Sequence, residues 1–103
     1  MLLGAAIATS VLGAASATCA QDYTVVINNM DYASPPANLK VGDTILWVNR
    51  DTVLHSVTAR DHSFDIRLNP GQSAKMVLDK AGKIPFICQF HPTMRGTLTV
   101  APK

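Results

Sequence analysis

Apolar residues recur at every second position along much of this chain, and that period limits it to strands. Phe64, Ile66 and Leu68 alternate with Asp65, Arg67 and Asn69. Ala74, Met76 and Leu78 alternate with Lys75 and Val77, and Leu98 and Val100 with Thr97 and Thr99. A period of two puts alternate side chains on one face of an extended strand, whereas a helix would need apolar residues three and four apart. Residues 23–28 and 45–49 are β-branched and apolar on both faces, which predicts better-buried strands. Turn signals separate the runs: Ser34-Pro35-Pro36, Val41-Gly42-Asp43, Asn49-Arg50-Asp51, Asn69-Pro70-Gly71 and Ala81-Gly82-Lys83. Short strands punctuated this often predict an all-β, antiparallel sandwich of about seven strands.

The charges divide the chain in two. Of 103 residues, 9 are Lys or Arg and 7 are Asp or Glu, and all of them lie at or beyond Asp22. The first twenty residues carry no charge and are rich in Ala. They end in small residues, with Ala15-Ser16-Ala17 and Thr18-Cys19-Ala20 both acceptable to a signal peptidase. Residues 1–20 are therefore expected to be a cleaved export signal, although no basic residue follows Met1. The competing reading is an uncleaved membrane anchor, the only route by which this chain would touch a membrane. Residues 21–103 have ordinary globular composition and can bury one modest core. A net charge of +2 with scattered basic residues argues against a nucleic-acid partner.

Cleavage after Ala20 removes Cys19 and leaves Cys88 alone in an exported protein, where disulfides are the common fate of cysteine. A lone Cys88 is then a core residue, an intermolecular linker, a nucleophile or a metal ligand. Its neighbours point to the last. In Cys88-Gln-Phe-His91-Pro-Thr-Met94, a thiol, an imidazole and a thioether follow at intervals of three. They are expected on a loop between a strand ending near Cys88 and another beginning near Gly96. His55, just beyond the Asn49-Arg50-Asp51 turn, can approach the same end of a sandwich. Two His nitrogens and one Cys sulfur with a weak axial Met are the donor set of a blue-copper centre. Zinc has little use for a thioether, and a Cys–His nucleophile pair would lack a substrate cleft in so small a domain.

The chain resembles the cupredoxins, and among them the amicyanin and plastocyanin-like group. The resemblance rests on residues 41–51, Val-Gly-Asp-Thr-Ile-Leu-Trp-Val-Asn-Arg-Asp, followed by His55-Ser56-Val57. It rests equally on residues 88–96, Cys-Gln-Phe-His-Pro-Thr-Met-Arg-Gly, followed by Thr97-Leu98-Thr99-Val100. The Cys-x2-His-x2-Met spacing is the short amicyanin form. The resemblance implies a Greek-key β-sandwich of about seven to eight strands holding one type 1 copper ion that cycles between Cu(I) and Cu(II). His55, Cys88 and His91 would be strong ligands and Met94 the weak axial one. It implies a periplasmic one-electron carrier without substrate turnover, monomeric by default. Its partners would be redox proteins, such as a dehydrogenase or reductase and a c-type cytochrome, docking near His91. A periplasmic copper chaperone or copper-storage protein is the alternative.

Finer expectations follow. By resemblance, Asn49 ties the His55 segment to the copper loop by hydrogen bonds. Phe90 stands where amicyanins often have Pro, and its N–H is expected to reach the Cys88 sulfur. Leu54, Ile84 and Ile87 also depart from the family pattern. His62 is read as a solvated loop residue, Met30 and Met76 as gap-fillers, and Arg95 as either a partner-orienting or a plain surface charge.

Overall fold

The structure, a computed structural model, describes residues 19–103. The expected signal segment thus lies outside the described residues except for Cys19 and Ala20, which are exposed. The described residues form strands and no helix. In order these are β1 (Asp22–Asn28), β2 (Asp31–Tyr32), β3 (Leu39–Lys40), β4 (Thr44–Asn49) and β5 (His55–Ala59). They continue with β6 (Asp65–Leu68), β7 (Ser73–Val77), β8 (Gly82–Cys88) and β9 (His91–Ala101). Seven strands have four or more residues, and β2 and β3 are two-residue additions at sheet edges.

The strands form two sheets, ordered β2-β1-β4-β7 and β3-β9-β8-β5-β6. The sandwich is as expected, but it is not wholly antiparallel. β1 runs parallel to β4 from Asp22↔Thr44 to Ile27↔Asn49, and β3 runs parallel to β9. Between β1 and β4 the chain leaves the first sheet to lay β3 against β9. It then returns to β4 in the direction of β1, as a crossover rather than a hairpin. Burial also alternates where both faces were expected to be deeply buried. In β4, Ile45, Trp47 and Asn49 point inward, while Leu46 and Val48 are only half-buried.

The core lies between the sheets. Trp47 and Phe86, both fully buried, meet edge to face with ring centroids 5.4 Å apart. Tyr32 meets Phe86 in the same way at 4.9 Å. Edge-to-face pairs of this kind add to the area that each ring removes from water. The cluster leaves no room beside it. A Cβ placed on Gly96 of β9 would come within 2.6 Å of the end of the Phe86 ring, which is held by Tyr32 and Trp47. We expect Gly96→Ala to destabilise the fold by about 1–3 kcal/mol, the usual cost of overpacking a core. Denaturant unfolding would measure it, and an unchanged midpoint would contradict this account of the cluster.

Asp43, in the turn entering β4, is also fully buried. Its carboxylate accepts the Lys40 N–H at 2.9 Å and the Gln21 N–H at 2.9 Å. The Gln21 N–H, more than any other group, holds its carboxyl below the usual carboxylate range. A buried carboxylate satisfied by backbone donors fixes the start of β1 against the start of β4.

Candidate metal centre

The site is assembled at one end of the sandwich from β5, β8 and β9. On β8 the inward positions are Ile84, Phe86 and Cys88, so strand alternation itself aims the thiol between the sheets. The strands run further than the sequence suggests. Cys88 pairs directly with His91, and the expected loop shrinks to the turn Gln89-Phe90, with a register shift between Ile87 and Cys88. A bulge of this kind re-aims a side chain at a strand end. β9 begins at His91, and Met94 is buried on it. His55, the first residue of β5, is paired with Leu68 of β6 and fully buried.

The fold brings three of the four expected donors together, and buries Met94 on the neighbouring β9. Cys88 Sγ lies 3.7 Å from His55 Nδ1 and 3.7 Å from His91 Nδ1. The three donor atoms all fall within 4.8 Å of one another. An ion bound to a thiolate at about 2.3 Å and to imidazoles at about 2.0–2.1 Å, at trigonal angles, needs Sγ–Nδ1 separations of about 3.7–3.8 Å. Both sulfur–nitrogen separations therefore fit a trigonal His2Cys set. Cys88 and His55 are wholly buried and Met94 is 2% exposed, whereas His91 is half-buried. His91 alone of the four has substantial access to solvent.

Two of the donors are held from behind. His55 Nε2 lies 2.7 Å from Asp51 Oδ2. A carboxylate can only accept, so Nε2 carries the proton and Nδ1 presents its lone pair to the site. Asp51 also accepts the N–H groups of Asn29 and Met30 at 2.7 and 2.8 Å. These two residues have φ of 55° and 61°, a left-handed pair that L side chains seldom adopt. The Met30 N–H, with smaller contributions from His55 and the Asn29 N–H, keeps the Asp51 carboxyl below its usual range. One carboxylate thus fastens the β1–β2 turn to a donor imidazole.

The thiol is fastened by Ser56. Its N–H donates to Cys88 Sγ at 3.3 Å, and its Oγ accepts the Gln89 N–H at 2.8 Å. Ser56 Oγ continues to Thr58 Oγ1 at 2.9 Å, and Thr58 Oγ1 donates to Asp65 at 2.8 Å. The Tyr32 hydroxyl donates to the Ser56 carbonyl, and burial pushes the phenol well above its ordinary range. The backbone N–H that reaches the sulfur is therefore that of Ser56, not that of Phe90. With Cys88 and His91 paired across a two-residue turn, Phe90 sits at the tip, 40% exposed, with Arg67 over its ring at 5.6 Å.

Asn49 differs from expectation too. It is fully buried, and its Nδ2 donates to the Val53 and Leu68 carbonyls, each at 2.9 Å. Its Oδ1 accepts the Asp51 N–H at 2.9 Å. It braces the segment before His55 against β6, rather than against the turn that carries Cys88. His62 is an exposed loop residue and Met76 packs against the core, both as read from the sequence. Met30, read as a gap-filler, is instead 44% exposed, because Asp51 pins its backbone in a turn that projects its side chain outward. Arg95 is exposed. Sequence reasoning missed Asp51, Ser56 and Tyr32. A carboxylate four residues before a candidate His ligand was the one signal available.

Comparison with known proteins agrees with this geometry. The family described as Cupredoxin-like domain matches residues 1–100. Amicyanin of Paracoccus versutus is 30% identical over 99 residues, covering 89% of this chain and 75% of the relative. The methylamine utilization protein MauL of Methylorubrum extorquens is 31% identical over 88 residues, covering 82% and 77%. Among solved structures, the Cu(I) form of a methionine-to-alanine mutant of amicyanin superposes with a TM-score of 0.65 at 29% identity, covering 78% of this chain and 80% of that one. The crystal structure of Paracoccus versutus amicyanin gives 0.63 at 28%, covering 78% and 79%. With its two-sheet fold and converging His and Cys donors, the chain belongs to the cupredoxin-like family and is of the amicyanin type.

Proposed function

We propose that this protein is a periplasmic one-electron carrier that binds a single copper ion through His55 Nδ1, Cys88 Sγ and His91 Nδ1, with Met94 as a weak axial donor. The observation that carries this reading is the three-atom donor set, buried except at His91 and with both sulfur–nitrogen separations at 3.7 Å, the trigonal spacing. When bound, the copper supplies the Cu(I)/Cu(II) couple. The chain keeps its donors in one arrangement through both states. His55 is locked by Asp51, the sulfur by the Ser56 N–H, and the turn by Gln89 and Ser56 Oγ. Donors that need not move keep the barrier to electron exchange low.

His91 is the port for electrons, since it bridges the buried sulfur and the surface. Exposed apolar side chains flank the same end: Phe90 beside His91, Val53 two residues before His55, and Met30 on the turn held by Asp51. A small apolar patch suits brief docking of a redox protein and prompt release. By likeness to the amicyanins, a dehydrogenase and a c-type cytochrome are the kind of partner that fits. The charge-free, Ala-rich residues 1–20 support export.

Adding Cu(II) to the protein and recording visible and EPR spectra tests the reading. Intense thiolate-to-copper absorption with narrow copper hyperfine splitting is the expected result. A colourless protein retaining only Cu(I) would indicate a chaperone, and no metal uptake would leave Cys88 and His91 to other chemistry. Asp51→Asn is expected to weaken copper binding about tenfold to a hundredfold, the usual effect of losing the partner behind a ligand imidazole. It should also raise the reduction potential, because an anion beside His55 favours the more highly charged state. Competition titration and voltammetry check the two effects.

A further inference from the structure

The Gln21 N–H that Asp43 accepts at 2.9 Å belongs to the residue that follows the expected cleavage point. Gln21 is held at its carbonyl as well, which accepts the Thr44 N–H at 2.9 Å. β1 begins at the next residue, with Asp22 paired to Thr44. Asp43 is fully buried, and Lys40 Nζ, 3.5 Å from its Oδ1, is the only cationic side chain that the described residues bring to it. In the uncleaved chain, a buried carboxylate spends one oxygen on a neutral amide. Removal of residues 1–20 would turn that amide nitrogen into an α-ammonium group without moving it.

We propose that Asp43 is the receptor for the mature amino terminus: signal removal after Ala20 converts the Gln21–Asp43 hydrogen bond into a partly buried ion pair that locks β1 onto β4. A charged donor makes a shorter and stronger bond to carboxylate than a neutral one. The inference rests on the export proposed above and is independent of copper.

A chemical consequence follows. A free amino-terminal Gln cyclises when its α-nitrogen lone pair attacks the side-chain amide carbon, closing a five-membered lactam and releasing ammonia. An α-nitrogen kept as ammonium on Asp43 has no lone pair to offer, so Gln21 stays open.

Two chains beginning at different residues test the proposal. The full-length protein is exported and recovered, and a second form is made to begin at Ala20, which leaves a neutral amide at Gln21. Intact mass should show the exported form beginning at Gln21 with no loss of ammonia. The Gln21 form should melt about 5 °C higher than the Ala20 form at equal copper loading, as a charge-assisted bond predicts for a domain of this size. In an Asp43→Asn background the two forms should melt together, and Gln21 should lose ammonia faster on storage. Should that variant fail to fold, the α-amine of the unsubstituted Gln21 form is titrated by NMR, where a midpoint above the ordinary amino-terminal range is expected. Cleavage at another bond, equal melting of the two unsubstituted forms, or an ordinary α-amine titration would overturn the proposal. Each outcome reads the same whether or not the protein carries electrons.

Discussion

Cys88→Ser should abolish the intense visible absorption of the copper-loaded protein while leaving it folded. The absorption arises from charge transfer out of a thiolate, and a serine hydroxyl neither ionises at neutral pH nor offers a soft donor. The fold should tolerate the change because Cys88 is fully buried but its sulfur already accepts the Ser56 N–H at 3.3 Å. The new hydroxyl inherits that donor, so the variant should lose only about 1 kcal/mol, near the lower end for placing a partnered polar atom in a core. Copper affinity should fall by more than tenfold, since a strong ligand becomes a weak one. Visible spectroscopy and competition titration on the refolded variant check both statements. A variant that still turned blue would discredit the assignment of Cys88.

Asn49→Leu should strongly destabilise the fold. Leu matches Asn in branching but can neither donate to the Val53 and Leu68 carbonyls nor accept the Asp51 N–H. Three backbone groups at a buried position lose their partner together. Each unsatisfied group costs about 1–3 kcal/mol, so a loss of about 3 kcal/mol or more is expected. Chemical unfolding of the metal-free protein measures it, and a loss below about 1 kcal/mol would show that the segment re-pairs elsewhere. The metal site should weaken as well, because Asn49 fixes the Asp51 backbone and Asp51 fixes His55. The two losses arise from one chain of bonds and should not add to those of Asp51→Asn.

The sandwich was legible because burial on one face of a strand writes itself into alternate residues, as Met94, Leu98 and Val100 on β9 show. The donor set was legible for a different reason. Cys, His and Met together are an uncommon combination with few chemical uses, and three of the four stand within seven residues. What could not be read were relations between distant segments. The Phe90 N–H was the near candidate for the sulfur, yet Ser56, 32 residues before Cys88, supplies the bond. Asn49 was expected to brace the Cys88 turn, but its reach is set by which strands lie beside it, and β6 is the one that offers a carbonyl. The parallel pairing of β1 with β4 was hidden for the same reason, since a strand's own pattern says nothing about its neighbour's direction.

By itself the sequence determined the period of two, the turns and the choice of four candidate donors, because these depend on local geometry and on side-chain chemistry. Only the tertiary structure decided how the alternating strands pair, which candidate donor is left at the surface, and what stands behind His55 and Cys88. Asp51 behind His55 and Ser56 behind Cys88 exist as partners only once crossovers bring separate strands within hydrogen-bond reach. The period of two places Cys88 and Met94 on inward positions, but the bulge before Cys88 and the two-residue turn after it complete the site. Those are features of pairing between chains of residues, and no single run of residues contains them.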